Sequence, residues 1–185
     1  MTKAELRIVA KDVRAAFVSS LTSAERCAAA IMLAENVITQ LNDAPVVAVY
    51  LPINNEADTL PLIDRLAGMA VQIALPHVGS RQTPLRFLEW SPGDPLVGGP
   101  LGLWQPDPAG RNIVPDVIVT PLLAFDVTLN RLGYGAGYYD RAFAALPEAR
   151  RIGVAWSVQQ VDHVVIEPWD IPLHGIATEK EWISG

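Results

Sequence analysis

A single cysteine, Cys27, stands in a chain of 185 residues. It excludes an internal disulfide framework and a cysteine-only zinc site, and it suits a reducing compartment. Charge is also sparse: Asp, Glu, Lys and Arg make up 18% of the residues, with a formal net charge of −6. That acidic balance argues against general nucleic-acid binding, which needs clustered cations. No apolar run approaches the roughly 18 residues needed to cross a bilayer. Residues 1–14 mix Lys3, Glu5, Arg7, Lys11, Asp12 and Arg14 with apolar side chains, and no apolar core of a secretory signal follows. The expectation is a cytoplasmic protein with neither membrane nor nucleic-acid partner. Familiar catalytic motifs are missing too. There is no Gly-x-Ser-x-Gly elbow and no His-Glu-x-x-His zinc helix. His77, His163 and His174 are isolated from one another. No nucleophile stands in a recognisable setting, so no catalytic side chain is assigned.

What the chain does have is apolar residues: half of it is hydrophobic, enough for a sizeable core in one domain spanning residues 1–185. Two capping boxes open it. Thr2-Lys3-Ala4-Glu5 starts a helix that sends Leu6, Val9, Val13 and Phe17 to the core. Thr22-Ser23-Ala24-Glu25 starts a second, running to about Leu41, with Ile31, Ala34, Val37, Ile38 and Leu41 buried and Cys27 as a small packing residue. Asn42-Asp43-Ala44-Pro45 breaks that helix, and residues 46–51 read as a buried strand. Asp58 caps a helix ending near Gly68, and a strand follows at 71–75. Residues 78–115 are rich in Pro and Gly, with one short strand at 85–90; long irregular segments in compact domains tend to be functional. Strand-like runs at 117–119 and 122–125, a helix at 138–146 and a strand at 151–156 complete the pattern. This alternation predicts an α/β layered fold with a mainly parallel central sheet.

The densest signal is Arg131-Leu132-Gly133-Tyr134-Gly135-Ala136-Gly137-Tyr138-Tyr139-Asp140-Arg141. Three glycines at alternate positions lie between strand-like runs and a helix. Glycine lets a ligand approach the backbone, and a helix N-terminus offers unpaired N–H groups to an anion. The loop has no Gly-Lys-Ser/Thr of a Walker A motif and not the glycine spacing of a dinucleotide fingerprint. By spacing alone it is as readily a tight turn, with Asp140 complementing the helix dipole. Lys3 and Arg7, four residues apart, share a helix face with Arg14 two turns on: a solvated basic stripe or a polyphosphate clamp. Glu56 lies just past a strand's C-terminal end, where open α/β sheets bind ligands, although a loop glutamate is more often merely solvated. Asp140 and Asp170 are either turn residues or two carboxylates sharing Mg²⁺ with triphosphate oxygens.

The eleven-residue string, preceded by Pro121-Leu122-Leu123-Ala124-Phe125-Asp126, resembles the signature of the 5-formyltetrahydrofolate cyclo-ligase family. Lys3-x-x-Leu6-Arg7, Gly102-Leu103-Trp104-Gln105-Pro106, Trp156-Ser157-Val158-Gln159-Gln160 and Pro168-Trp169-Asp170-Ile171-Pro172-Leu173 match further segments. The resemblance implies the sugar-isomerase/CoA-transferase-like variety of the fold. It also implies an ATP-dependent ligase converting 5-formyltetrahydrofolate to 5,10-methenyltetrahydrofolate, with Mg²⁺ as cofactor; a monomer is expected. Lys3, Arg7, Arg131, Leu132, Gly133, Tyr134, Gly135, Ala136, Gly137, Tyr138 and Tyr139 would then hold ATP, and Asp140 and Asp170 the metal. Leu51, Glu56, Tyr134 and Tyr138 would place the folate, with the Glu56 carboxylate accepting N–H bonds from the pterin edge. The sequence departs from the family at Leu101, Gln105, Leu129 and Ala136, where an aromatic residue, Glu, Gly, and Gly or Lys respectively are common. The departures at Leu101 and Gln105 keep open a diverged nucleotide-binding relative without folate turnover. A sugar-phosphate isomerase on the same fold is the weakest alternative, since no acid/base pair stands beside the loop.

Overall fold

The computed structural model describes residues 2–80 and 82–185, and of Leu101 the backbone alone. Both capping boxes form, at the heads of α1 (Lys3–Ser20) and α2 (Ser23–Ile38). Then come β1 (Val46–Ala48), α3 (Leu60–Ala67), β2 (Gln72–His77) and β3 (Arg86–Glu89). The Pro/Gly-rich stretch folds a small hairpin, β4 (Leu96–Gly98) with β5 (Trp104–Pro106). β6 (Val117–Pro121) leads into a second hairpin, β7 (Ala124–Phe125) with β8 (Arg131–Leu132). The chain ends with α4 (Tyr138–Ala145), β9 (Arg150–Val154), β10 (Gly175–Ala177) and β11 (Trp182–Ile183).

Seven strands form one sheet in the order β11-β10-β9-β6-β1-β2-β3. The inner five run parallel, and the edges β11 and β3 are antiparallel. Because successive side chains of a strand point to opposite faces, each strand feeds two cores. Val47, Val117, Val119, Ile152 and Val154 pack towards α2 and α3, while Ala48, Ile118 and Ile176 pack towards α4. From β1 the chain steps to β2 on one side and later returns to β6 on the other. That reversal opens a crevice at the C-terminal ends of β1 and β6, the usual ligand position in such sheets.

The register of α1 differs from expectation in a way that matters for the site. Its buried stripe is Leu6, Ala10, Arg14 and Val18, whereas Val9 and Val13 are 48% and 42% exposed. Apolar residues occur around much of this helix, so their spacing does not select a face. Docking does: Leu6 and Ala10 pack on Leu123, Ala124 and Leu132 of the second hairpin and on Val164. On α2, Ala34, Val37 and Leu41 are buried as expected and Ala30 and Leu33 join them, but Ile31 points to solvent and the helix stops at Ile38. Cys27 is exposed rather than packed. Thr59, not Asp58, is the N-cap of α3, with Asp58 accepting from the Leu60 N–H at 3.0 Å. The strand expected at 46–51 keeps regular pairing only to Ala48, and β2 and β9 are displaced by one or two residues from the expected bounds.

Gly153 in β9 marks how closely the core packs. A Cβ there would meet Leu173 Cδ1 at 2.5 Å and Leu122 Cδ2 at 2.9 Å. Overpacking of this kind costs about 1–3 kcal/mol. Gly153→Ala is therefore expected to lower the urea midpoint of unfolding with an unchanged slope, and an unchanged midpoint would refute the packing argument.

Candidate active site

The crevice is a cavity of about 820 Å³, at the large end of ligand sites. It gathers the residues expected to hold ATP, folate or metal: Lys3 and Arg7, Leu51 and Glu56, the run 131–140, and Asp170. Tyr50 and Leu51 enter just past β1, and Pro121 from the end of β6. None of the three histidines lines it.

The glycine loop has the backbone expected of a close-approach site. Gly135 and Gly137 have φ of 95° and 67°, left-handed values that disfavour a side chain. Gly137 is the N-cap of α4 and has no side chain to cap it, so the first-turn N–H groups of the helix meet no capping oxygen from that position. Arg7 Nε donates to Gly133 O at 2.9 Å, and a Cβ at Gly135 would lie 3.2 Å from Arg7 Cζ. Docking of α1 thus brings its cations against the loop. Ala136 needs no left-handed conformation and is not among the positive-φ residues, which explains how alanine is accommodated there.

Among the described residues three ion pairs stand at the cavity. Lys3 Nζ donates to Glu167 Oε2 at 2.8 Å and also to Asp170 Oδ2, while Arg131 Nη2 donates to Asp140 Oδ1 at 2.7 Å. Burial lowers the Lys3 pKa, but the hydrogen bonds and charges of Asp170 and Glu167 outweigh it, leaving Lys3 raised and firmly protonated. Asp140 Oδ1 also accepts a long bond, 3.4 Å, from the Ile171 N–H, so the segment carrying Asp170 closes on the start of α4. Among the described residues no group of three His, Cys, Asp or Glu side chains could hold a metal by itself.

Glu56 is only 4% exposed. Asn54 and Asn55, at φ 48° and 64°, make the turn that folds it back into the protein, a conformation asparagine tolerates. Ile53 N–H donates to Oε2 at 2.9 Å and Tyr134 Oη donates to Oε1 at 2.6 Å. Burial raises the Glu56 pKa; those two hydrogen bonds and the charge of Arg14 oppose the rise without cancelling it. Burial and Glu56 likewise raise Tyr134, which stays neutral.

The model of the 5-formyltetrahydrofolate cyclo-ligase family matches residues 1–179. The chain belongs to this family. It is 38% identical over 148 residues to the 5-formyltetrahydrofolate cyclo-ligase of Escherichia coli (strain K12), covering 75% of this chain and 81% of the relative. Against that of Haemophilus influenzae it is 35% identical over 149 residues, covering 76% and 79%. The solved structure of a 5,10-methenyltetrahydrofolate synthetase from Aquifex aeolicus superposes with a TM-score of 0.78 at 30% identity, covering 100% of this chain and 93% of that one. One from Mycoplasma pneumoniae gives 0.75 at 24% identity, covering 97% and 99%, a likeness of fold. The α/β layered architecture is thus that of the family's synthetases, and the ligase reading is the one these relatives support, not the diverged or isomerase alternatives.

The departures from the cyclo-ligase pattern have local physical accounts. Leu129 adopts φ 65°, where glycine is the unstrained choice, yet its side chain is buried in the core around α4. The turn is held by Asp126, whose Oδ1 accepts from Thr128 and Asn130 N–H groups at 3.0 and 3.2 Å. Gln105 is buried, and its Oε1 accepts the Val78 N–H at 3.0 Å; it does not line the cavity. The side chain of Leu101 lies outside the described residues. Sequence reasoning gave no role to several lining residues, among them Tyr50, Glu167 and Trp169. Trp169 is 65% exposed and Trp104 63%, large indoles in solvent at the cavity. Exposed tryptophans so distant in sequence are a signal only once the fold places both at one cavity.

Proposed function

We propose that the chain is an ATP-dependent 5-formyltetrahydrofolate cyclo-ligase whose chemistry is carried by placement and charge rather than by a protein nucleophile. The observation that carries this reading is one cavity holding both an anion cradle and a buried, hydrogen-bonded carboxylate. The formyl oxygen takes the γ-phosphoryl group of ATP. N10 of the folate then attacks the activated carbon, and phosphate departs to leave the methenyl bridge. Phosphoryl transfer of this sort depends mainly on positioning and neutralisation of charge.

Lys3, Arg7 and Arg131 neutralise the phosphate oxygens, and residues 132–139 supply backbone N–H groups and walls to the triphosphate. Glu56 accepts N–H bonds from the pterin edge. Leu51 packs beside the ring, and Tyr134 and Tyr138 offer aromatic contact. The donor set suits Mg²⁺ arriving with the triphosphate: two carboxylates, Asp140 and Asp170, with no group of three such ligands among the described residues, match an ion that keeps its other positions for phosphate and water. When bound, the ion would draw off phosphate charge and orient the γ-phosphoryl group. No described helix is long and apolar enough to cross a membrane, and the proposal is of a cytoplasmic monomer acting on small molecules; the acidic composition speaks against nucleic acid as a partner.

The test is direct. Purified protein with 5-formyltetrahydrofolate and Mg²⁺ is expected to develop the near-ultraviolet band of the methenyl product when ATP is added, and not before. Absence of ATP-dependent product from a folded sample would overturn the reading.

A further inference from the structure

Arg14 is 3% exposed on a helix whose flanking residues face solvent. Its Nη1 donates to Tyr134 Oη at 2.8 Å, and its Nη2 donates to the Asn54 carbonyl at 2.8 Å. Tyr134 Oη passes its own proton towards Glu56 Oε1 at 2.6 Å. The guanidinium also lies 5.6 Å from the centre of the Tyr134 ring. Three separate segments therefore meet on one arginine: α1, the turn that presents Glu56, and the glycine loop.

A purely structural role accounts poorly for this arrangement. Among the described residues no carboxylate lies within ion-pair distance of Arg14, and its buried Nε has no partner. A buried cation without a direct counter-ion is costly, and an apolar side chain of similar volume would fill the space at less expense. The cost has a use at Glu56. A carboxylate offers about four lone-pair sites. Ile53 and Tyr134 occupy one on each oxygen, which leaves one on each for a ligand.

We propose that Arg14 is a positioning residue for folate recognition: by fixing Tyr134 and the Asn54 turn together it holds Glu56 as a two-oxygen acceptor facing the cavity. This rests on the folate reading of that cavity. The titratable groups around Glu56 are Arg14 from α1, Tyr50 from the end of β1, Tyr134 from the loop and Tyr139 from α4. Burial raises the three tyrosines, which stay neutral, so Arg14 is the cation of the set and favours the ionised Glu56 that accepts N–H bonds.

The experiment compares Arg14→Met, Arg14→Lys and Tyr134→Phe with wild type by calorimetric binding of 5-formyltetrahydrofolate across pH, alongside turnover. Removing charge-assisted hydrogen bonds of this kind is expected to weaken folate binding about tenfold in Arg14→Met, with the KM for ATP unchanged. The acid limb of folate affinity should also move to higher pH, because Glu56 loses the charge that favours its ionised form. Arg14→Lys keeps the charge but cannot fork to two acceptors; it is expected to restore the limb and retain part of the affinity loss. Tyr134→Phe cuts the link without removing the cation and is also expected to raise the limb. Wild-type folate affinity and an unmoved limb in Arg14→Met overturn the proposal. So does an affinity loss that leaves the limb unmoved, the mark of mere loosening. Should Arg14→Met fail to unfold cooperatively, the limb in Tyr134→Phe and its position in Arg14→Lys decide. Wild-type folate binding without product would defeat the ligase reading and leave the role of Arg14 standing, whereas no folate binding at all defeats both.

Discussion

Glu56→Gln is expected to raise the KM for 5-formyltetrahydrofolate by about a hundredfold while leaving that for ATP unchanged, since on the proposed function two charge-assisted bonds to the pterin edge would lose their ionised acceptor and one would meet an N–H donor instead. The substitution conserves volume, and the Ile53 N–H can still be satisfied by the amide oxygen, so the loss is one of recognition and not of fold. Two pH signatures go with it. Burial raises the Glu56 pKa, so wild-type folate affinity falls as pH drops through that raised value, and the glutamine variant should lack this limb. Stability runs the opposite way. A carboxyl whose folded pKa is raised contributes stability present below its unfolded pKa and lost as pH rises through the folded one. The difference in Tm should therefore shift towards Glu56→Gln on going from acid to neutral pH. Steady-state kinetics and thermal melts across pH check both. A folate KM within about threefold of wild type would remove Glu56 from the recognition of the pterin edge.

How much of this was legible in the chain depends on the range of each interaction. The capping boxes, the glycine string and the helix after it are local patterns, and they could be placed to within a residue or two. The parallel sheet followed from the alternation of strands and helices. The face of α1 did not. Leu6, Val9, Ala10 and Val13 are all apolar, and only the second hairpin, more than a hundred residues away, decides that Leu6 and Ala10 turn in and Val9 and Val13 turn out. The same docking buries Arg14, which from sequence alone is one more cation on a surface stripe. Lys3 was expected at the site through the resemblance of Lys3-x-x-Leu6-Arg7 and does line the cavity, but its pairing with Glu167 crosses 164 positions and has no sequence signature. Tyr50 reads as an ordinary core residue at a strand end. Its place at the cavity follows from the strand order, with β1 at the point of reversal, which pairing decides and periodicity does not.

On the proposed function, Asp140→Ala is expected to lower kcat/KM on the order of 10²–10³-fold, because it would remove a fixed charge at the site of phosphoryl transfer. The ion pairs make a sharper claim possible. Arg131 is paired with Asp140, and Lys3 with Asp170 and Glu167. A triphosphate without magnesium has to compete with those carboxylates for the same cations. A triphosphate with magnesium offers an exchange, in which the carboxylates gain a metal as the cations turn to phosphate oxygens. Binding of nucleotide and metal should therefore be strongly coupled in wild type and, by linkage, equally so in either order. Asp140→Ala breaks one arm of the exchange. Calorimetry should find metal-free ATP binding as tightly as in wild type or tighter, since Arg131 is released, while added Mg²⁺ gives much less enhancement. Asp170→Asn should show the same pattern through Lys3. Wild-type turnover and an undiminished response to Mg²⁺ in Asp140→Ala would mean that the carboxylate serves only its pair with Arg131. In that case, the metal would have to reach the phosphates without help from the first turn of α4.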